Sequence, residues 1–245
     1  AVDHLRQVAT TVVADHHGEV AWLGHSDKSL QVGFRSWAEE MGVDIVGAEL
    51  HQRMGQAAAA LTRQMEWVGI GRVRWAVTPN GGWYLLGFSG RLTTGYSLAE
   101  RVFGVDLVRT QRRLALGDHL AWDHAATVPD NHGIQLRLLH VHDRDGVTRP
   151  EGTLERLDLP DGVYADVGME VGQVCTPETE PLIATLVVTA PTRHAAIVRA
   201  RAALDGVRID GIPTNVRALG EALGDPDVWN RTHDVHVLDR YLDRG

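Results

Sequence analysis

The sequence predicts an α+β fold, with antiparallel hairpins and packed helices in one chain and no repeating strand–helix alternation. Two pairs of short runs rich in β-branched or aromatic residues are joined through Gly-containing loops, the signature of β-hairpins. Residues 49–66 carry Ala and Leu at helical spacing with few breakers, which predicts a helix. The elements that follow come in mixed order, which argues against a doubly wound parallel sheet.

In chain order, Val8–Ala14 ends at the turn signal Asp15-His16-His17-Gly18, and Val20–Gly24 completes the first hairpin. The second runs through Gly71–Val77, the turn Pro79-Asn80-Gly81-Gly82 and Trp83–Leu86, whose turn residues tolerate positive φ. Leu98–Leu116 reads as two helical pieces, the second with Arg109, Arg112 and Arg113 on its polar face. An irregular stretch from Gly117 to Asn131 predicts a boundary, giving domains 1–117 and 118–245. Strands are expected at Gly133–His142, Thr153–Leu159 and Leu182–Ala190, the last buried on both faces. Thr192 is the expected N-cap of a helix over Arg193–Leu204, and a final helix is expected near Val216–Leu223.

With 245 residues, 44% of them hydrophobic, the chain can bury a full core. Its formal charge of −8 opposes general attraction to nucleic acid or an anionic membrane surface. One cysteine, Cys175, permits no internal disulfide and no Cys-rich zinc site. No apolar run approaches the ~18 residues of a membrane span, and the first residues lack a signal-peptide pattern. Together these lead us to expect a cytoplasmic protein. A start at Ala1 rather than Met implies that something upstream was removed, a single residue or a whole domain.

Several local patterns have plain explanations. His140-x-His142-Asp143-x-Asp145 has a spacing that can bind zinc, yet a strand end at the surface accounts for it without a third convergent ligand. Trp37, Trp67, Trp75 and Trp83 fall in or beside structured segments, as core residues do. Gly69-x-Gly71 is a lone glycine pair. Ser26, Ser29 and Ser36 sit in no nucleophile motif, so a hydrolase has no support.

Three stretches carry a family resemblance. They are Ala14–Gly18 through Ser29-x-Gln31 to Glu39-Glu40; Tyr84–Arg91 followed by Gly104-Val105-Asp106-Leu107-Val108 and Leu116-Gly117; and Ala203-Leu204 through Gly211-Ile212-Pro213-Thr214-Asn215-Val216. In order and spacing they resemble biotin carboxylase, an ATP-grasp ligase. The resemblance implies the second half of the ATP-grasp domain, an antiparallel sheet with flanking helices, followed by a biotin-carboxylase C-terminal-type subdomain. The family's N-terminal subdomain and glycine-rich lid have no counterpart in these residues.

The family uses ATP, Mg²⁺ and biotin, and its Mg²⁺ ligands include two glutamates, the second in a Glu-x-Asn-x-Arg pattern. The matching positions here read Arg74, Gly87, Ser89 and Arg91. A unit charge pair at about 4 Å interacts by about 4 kcal/mol at an effective dielectric of about 20, and a divalent ion roughly doubles that. Arg74 therefore repels the ion that a carboxylate attracts. The family's bicarbonate base falls at Gly95, and its nearby His and Lys fall at Phe34 and Ser36. Arg91 and Arg137 match arginines placed near bicarbonate and biotin, and Gln31 matches a nucleotide contact.

The resemblance thus implies a non-catalytic biotin-carboxylase-like subunit or domain, structural or regulatory in a biotin-dependent (acyl-CoA type) carboxylase assembly, with no competent catalytic residue, no metal and no cofactor of its own. Other carboxylase subunits or a self-dimer are the expected partners, with Leu154–Leu159 as a contact surface. One alternative is a repurposed pocket in which Arg74, Arg91 and Arg137 grip a small anion or acidic metabolite without Mg-ATP; for Arg91 and Arg137, structural salt bridges are the simpler role. Another is a part of a longer active carboxylase.

Overall fold

The computed structural model describes residues 4–43, 45–121, 129, 131–142 and 145–242. Contacts divide the chain into two compact units, residues 1–28 with 40–133, and residues 29–39 with 134–245. The expected boundary at 117/118 thus differs from the division by contacts, which falls at 133/134. The backbone N–H of Leu120 donates to Asp15 Oδ2 at 2.9 Å, and His17 Nε2 lies 3.0 Å from the Gly117 carbonyl, which ties Gly117 and Leu120 to the first hairpin.

Strand β1 (Arg6–Ala14) sits antiparallel between β2 (Val20–Asp27) and, further along the chain, a strand over Gly69–Val77. The first hairpin thus forms where expected. Two-residue strands β3 (Gln31–Val32) and β4 (Arg35–Ser36) make a small hairpin of the second unit. Strand β5 (Ala38–Met41) was not expected; its Met41 pairs with Ser26 of β2.

Helix α1 (Ala48–Gln64) turns Met54 and Ala58 onto Val8, Val12, Val73 and Trp75. A Cβ at Gly55 would come within 2.3 Å of the Trp22 ring, so glycine lets the helix lie against that indole. The Gly69–Val77 strand is β6, and β7 (Trp83–Ser89) follows it as the last strand in the unit's order, β2-β1-β6-β7. Helix α2 (Tyr96–Phe103) ends on Gly104 in the left-handed conformation at φ 66°. Helix α3 (Leu107–Ala115) begins at Asp106, whose carboxylate accepts from the Arg109 N–H at 2.7 Å.

In the second unit β8 (His132–Leu139) ends three residues earlier than the sequence suggests. The expected strand over 153–159 is two strands, β9 (Gly152–Thr153) and β10 (Arg156–Asp158). The chain changes partner between them. Leu154 N–H donates to the Gln173 carbonyl and Glu155 N–H to that of Asp210. Leu154 is fully buried and Leu157 and Leu159 pack on the core, so the apolar residues expected to form a contact surface face inward.

Strand β11 (Tyr164–Val167) pairs with β13 (Leu182–Ala190), beside β8 in the order β11-β13-β8. The short β12 (Val174–Cys175) pairs with β9, and β14 (Arg208–Asp210) with β10. Helix α4 (Arg193–Gly206) carries the expected cap, with Thr192 Oγ1 accepting from the Ala195 N–H at 3.2 Å. Helices α5 (Val216–Ala222) and α6 (Pro226–Trp229) lead to a closing 3-10 turn over Val237–Tyr241. Asp225 anchors that turn, accepting from Tyr241 Oη at 2.6 Å and Arg240 Nη1 at 3.3 Å.

The residues that carried the resemblance in this unit have structural work. Asn215, fully buried, accepts from the Leu139 N–H and donates to the Arg137 carbonyl, both at 2.9 Å. At Gly211 φ is 91°, and a Cβ would fall 1.9 Å from the Thr153 carbonyl oxygen. Only glycine fits there.

Candidate functional site

Side chains alternate along β6: Val73 and Trp75 enter the core, while Arg72 and Arg74 point to the other face. On that face lies a cleft of about 280 Å³, lined by Ala9, Lys28, Arg72, Arg74, Phe88, Ser89, Arg91 and Thr93, all in the first unit. Lys28 comes from the segment after β2, and Arg91 and Thr93 from the segment after β7. Four of the lining residues are cationic and none is a carboxylate. In a chain of net charge −8 that is a local reversal of sign.

The four cations are held differently. Arg72 is buried; its guanidinium donates to Thr93 Oγ1 at 3.1 Å and to Ser26 Oγ. Arg74 and Arg91 are exposed, and among the described residues neither has a hydrogen-bond or ion-pair partner. Asp27, adjacent to Lys28 in sequence, is engaged by Arg6, whose Nε donates to its Oδ2 at 2.8 Å. Across the sheet, Arg74 is in register with Gly87, and Arg72 with Ser89. The ladder shifts between Arg74 and Trp75, which pairs with Leu85; this bulge re-aims the strand beside the cleft.

The structure therefore brings Arg74, Gly87, Ser89 and Arg91 together. Arg137 belongs to the second unit, where it donates to Glu39 Oε2 and to the Ser36 carbonyl, both at 3.2 Å. That ion pair fastens β8 to Glu39 of β5. Gln31 is also in the second unit, buried on β3, its Oε1 without a hydrogen-bond partner among the described residues. Phe34 stands almost fully exposed at the tip of the β3–β4 hairpin, and Gly95 is the residue preceding α2. Lys28 and Arg72 were not singled out from sequence. Arg72 had a readable signal, the alternation Gly71-Arg72-Val73-Arg74 in a predicted strand.

The lining residues do not fit Mg²⁺. A hard divalent cation takes carboxylate or carbonyl oxygens, and the cleft offers two hydroxyl side chains among four cations. Exposure screens the repulsion from Arg74 and Arg91, so its magnitude is well below that of a buried pair, but its sign is unchanged. Among the described residues no group of three His, Cys, Asp or Glu could hold a metal ion. Of the histidine pair on the strand end, His140 is fully buried, and the Asp145 carboxylate is engaged by the N–H groups of Val147 and Thr148. Asp143 lies outside the described residues. Trp37 and Trp75 are core residues, and Trp83 packs edge-on against Trp75 at 5.1 Å.

A separate buried polar cluster underlies the first hairpin. His25 Nδ1 lies 2.8 Å from Thr10 Oγ1, which also accepts from Trp75 Nε1 at 2.8 Å. His25 Nε2 lies 3.0 Å from the His51 carbonyl, and the His51 ring meets His25 edge-on at 4.8 Å. Burial pulls the His25 pKa down to about 4, against the opposing pull of that carbonyl, and lowers that of His51.

Comparison with known proteins supports the architecture. Residues 1–122 match the carbamoyl-phosphate synthase L chain ATP-binding domain, and residues 135–240 the biotin carboxylase C-terminal domain. The chain is 30% identical over 230 residues to the biotin carboxylase of Halalkalibacterium halodurans, covering 92% of this chain and 50% of that protein. It is 27% identical to a biotin-dependent acyl-coenzyme A carboxylase alpha3 subunit of Mycobacterium leprae, covering 99% of this chain and 41% of that one. One chain of the structure of the Hydrogenobacter thermophilus 2-oxoglutarate carboxylase biotin carboxylase domain superposes with a TM-score of 0.93 at 24% identity, over 98% of this chain and 53% of that chain. The chain thus spans about half the length of the curated biotin carboxylase it matches. By sequence and by backbone it is a relative of the biotin carboxylases, carrying the second half of their ATP-grasp domain and their C-terminal domain.

Proposed function

We propose that this chain is a non-catalytic biotin-carboxylase-like module, a structural or regulatory part of a biotin-dependent carboxylase assembly. The observation that carries this reading is the in-register pair Arg74 and Gly87, where the resemblance implies two carboxylates. A site with that pair lacks the carboxylate oxygens needed to hold Mg²⁺ for bicarbonate activation. The motif residues that remain, Asn215 and Gly211, serve backbone geometry. Support for an assembly comes from the relatives, among them a carboxylase alpha3 subunit.

The test is a bicarbonate-dependent ATPase and biotin-carboxylation assay on the purified chain with excess Mg²⁺, paired with co-expression of candidate carboxylase subunits. The expected result is no turnover together with a co-migrating complex on size exclusion. Mg²⁺-dependent ATP turnover above a heat-treated control would overturn the non-catalytic reading. A strict monomer with every co-expressed subunit would overturn the assembly reading.

A further inference from the structure

We infer that Phe34 is an anchor through which two copies of this chain dock, each phenyl ring entering a cleft beside the other copy's β3–β4 hairpin. The inference goes beyond the assembly role and does not depend on it. Phe34 is 94% exposed, more than any other large apolar side chain among the described residues. Its backbone is strained as well. Gly33 and Phe34 are the two turn residues between β3 and β4, with φ of 53° and 70°. A turn with positive φ at both central positions favours Gly and Asn, and a bulky residue there is held against its own preference. At such exposure, packing within the chain explains neither the strain nor the loss of solvation.

A receiving cleft lies beside the ring. Gly33 and Arg35, on either side of Phe34, line an opening of about 150 Å³ together with Val32, Val141, Val147 and Arg149, all in the second unit. That volume admits one aromatic ring, and the three valines give it apolar walls. Gly146 forms another wall by backbone alone, because a Cβ there would come within 2.7 Å of the buried Trp37 ring. Guanidinium groups suit the negative face of an aromatic ring. Arg149 is fixed, donating to the Thr179 carbonyl at 2.6 Å, and the Glu178 carboxylate lies close enough to feel its charge. Arg35 is exposed and has no hydrogen-bond or ion-pair partner among the described residues. A separate partner protein would need only the ring or only the cleft. Carrying both side by side on one face is what a two-fold contact requires, since each ring then meets the other copy's cleft and the same pairing occurs twice. Two contacts of this size bury little area, so the association is weak and reversible.

Sedimentation of the purified 245-residue chain, from about 10 µM to about 1 mM, is expected to show a monomer–dimer equilibrium. Phe34→Ala should raise the dissociation constant about tenfold or more, the scale that marks an interface anchor. Val147→Glu, which sets a carboxylate beside the two arginines and closes the cleft, should do the same. Both positions are exposed, and circular dichroism checks that the variants fold. Mixing the two variants separates ring from cleft: one copy keeps its ring and the other its cleft, so the mixture should associate, more weakly than the parent, where neither variant does alone. Phe34→Gly should lose association while its urea midpoint stays at or above the parent's, because glycine accepts the turn without strain. The inference is overturned if the parent stays monomeric throughout, if a dimer persists unchanged in Phe34→Ala, or if the mixture remains monomeric. A monomeric parent whose Phe34→Ala variant releases a co-expressed carboxylase subunit would overturn it too, and would give the ring to that subunit. Failure here leaves ATPase silence and complex formation with other subunits, read by other measurements, untouched.

Discussion

Arg74 on β6 and Gly87 on β7 are cross-strand partners, and a Cβ at residue 87 would lie 3.2 Å from Arg74 Nη2. The large cation thus stands opposite the one residue type that offers no side chain. The pair behaves as a unit: what Gly87 vacates, the guanidinium overlooks.

Restoring charge at one member should therefore be felt by the other. Gly87→Glu places a carboxylate against Arg74, and an opposite-charge cross-strand pair contributes about 0.2–1 kcal/mol. Residue 87 has φ 155°, where a side chain costs about 1–3 kcal/mol of backbone strain, so urea denaturation is expected to show a stability below the parent's, with the new ion pair offsetting only part of the loss. The double variant Arg74→Glu/Gly87→Glu sets two carboxylates in register, and Mn²⁺ binding by electron paramagnetic resonance should appear there and not in Gly87→Glu alone.

Asn215 satisfies two backbone groups of the β8 segment, the Leu139 N–H and the Arg137 carbonyl. Asn215→Ala leaves both buried and bare, at a cost of about 2–4 kcal/mol. Chemical denaturation is expected to show that loss. An unchanged midpoint would mean that water replaces the amide.

Gly211→Ala should destabilise by about 2–4 kcal/mol, because it adds a methyl into the Thr153 carbonyl at a backbone angle that L residues disfavour. Gly18→Ala is the control: its φ is 90°, yet nothing lies within 4 Å of a Cβ there, so its cost should be backbone strain alone and smaller.

His25 sets a pH dependence. Its folded pKa is about 4 against an ordinary 6.5, with burial as the main cause. The unfolded chain therefore binds the proton first, and stability falls as pH drops from about 6.5 to about 4, then levels with respect to this group. The loss is about 3 kcal/mol at most. Thermal unfolding across that window should show it, and His25→Gln should flatten the slope between pH 6 and pH 4 relative to the parent.

The hairpins and long helices were legible because their side-chain periods are local properties of the sequence. Strand β5 was not. Its Glu39 and Glu40 are carboxylates in a stretch with no strand pattern, yet Glu39 is buried against Arg137 and Glu40 against His132 Nε2 at 2.9 Å. Partners nearly a hundred residues away make those carboxylates tolerable inside, and no local pattern announces them. The partner change at Leu154 and Glu155 is hidden for the same reason, since hydrogen bonds to Gln173 and Asp210 decide it. At the cleft, resemblance pointed to Arg74, Gly87 and Arg91, but it drew attention to what was lost and so passed over Lys28 and Arg72. Arg137 was grouped with those arginines; the structure gives it Glu39 as partner in the second unit.

The amide of Asn215 reaches back 76 positions along the chain to the end of β8. During synthesis the β8 segment must wait for that side chain to emerge before its last N–H is satisfied. A protease cut between the two, or a fragment stopped short of residue 215, would therefore loosen a strand end made long before the break.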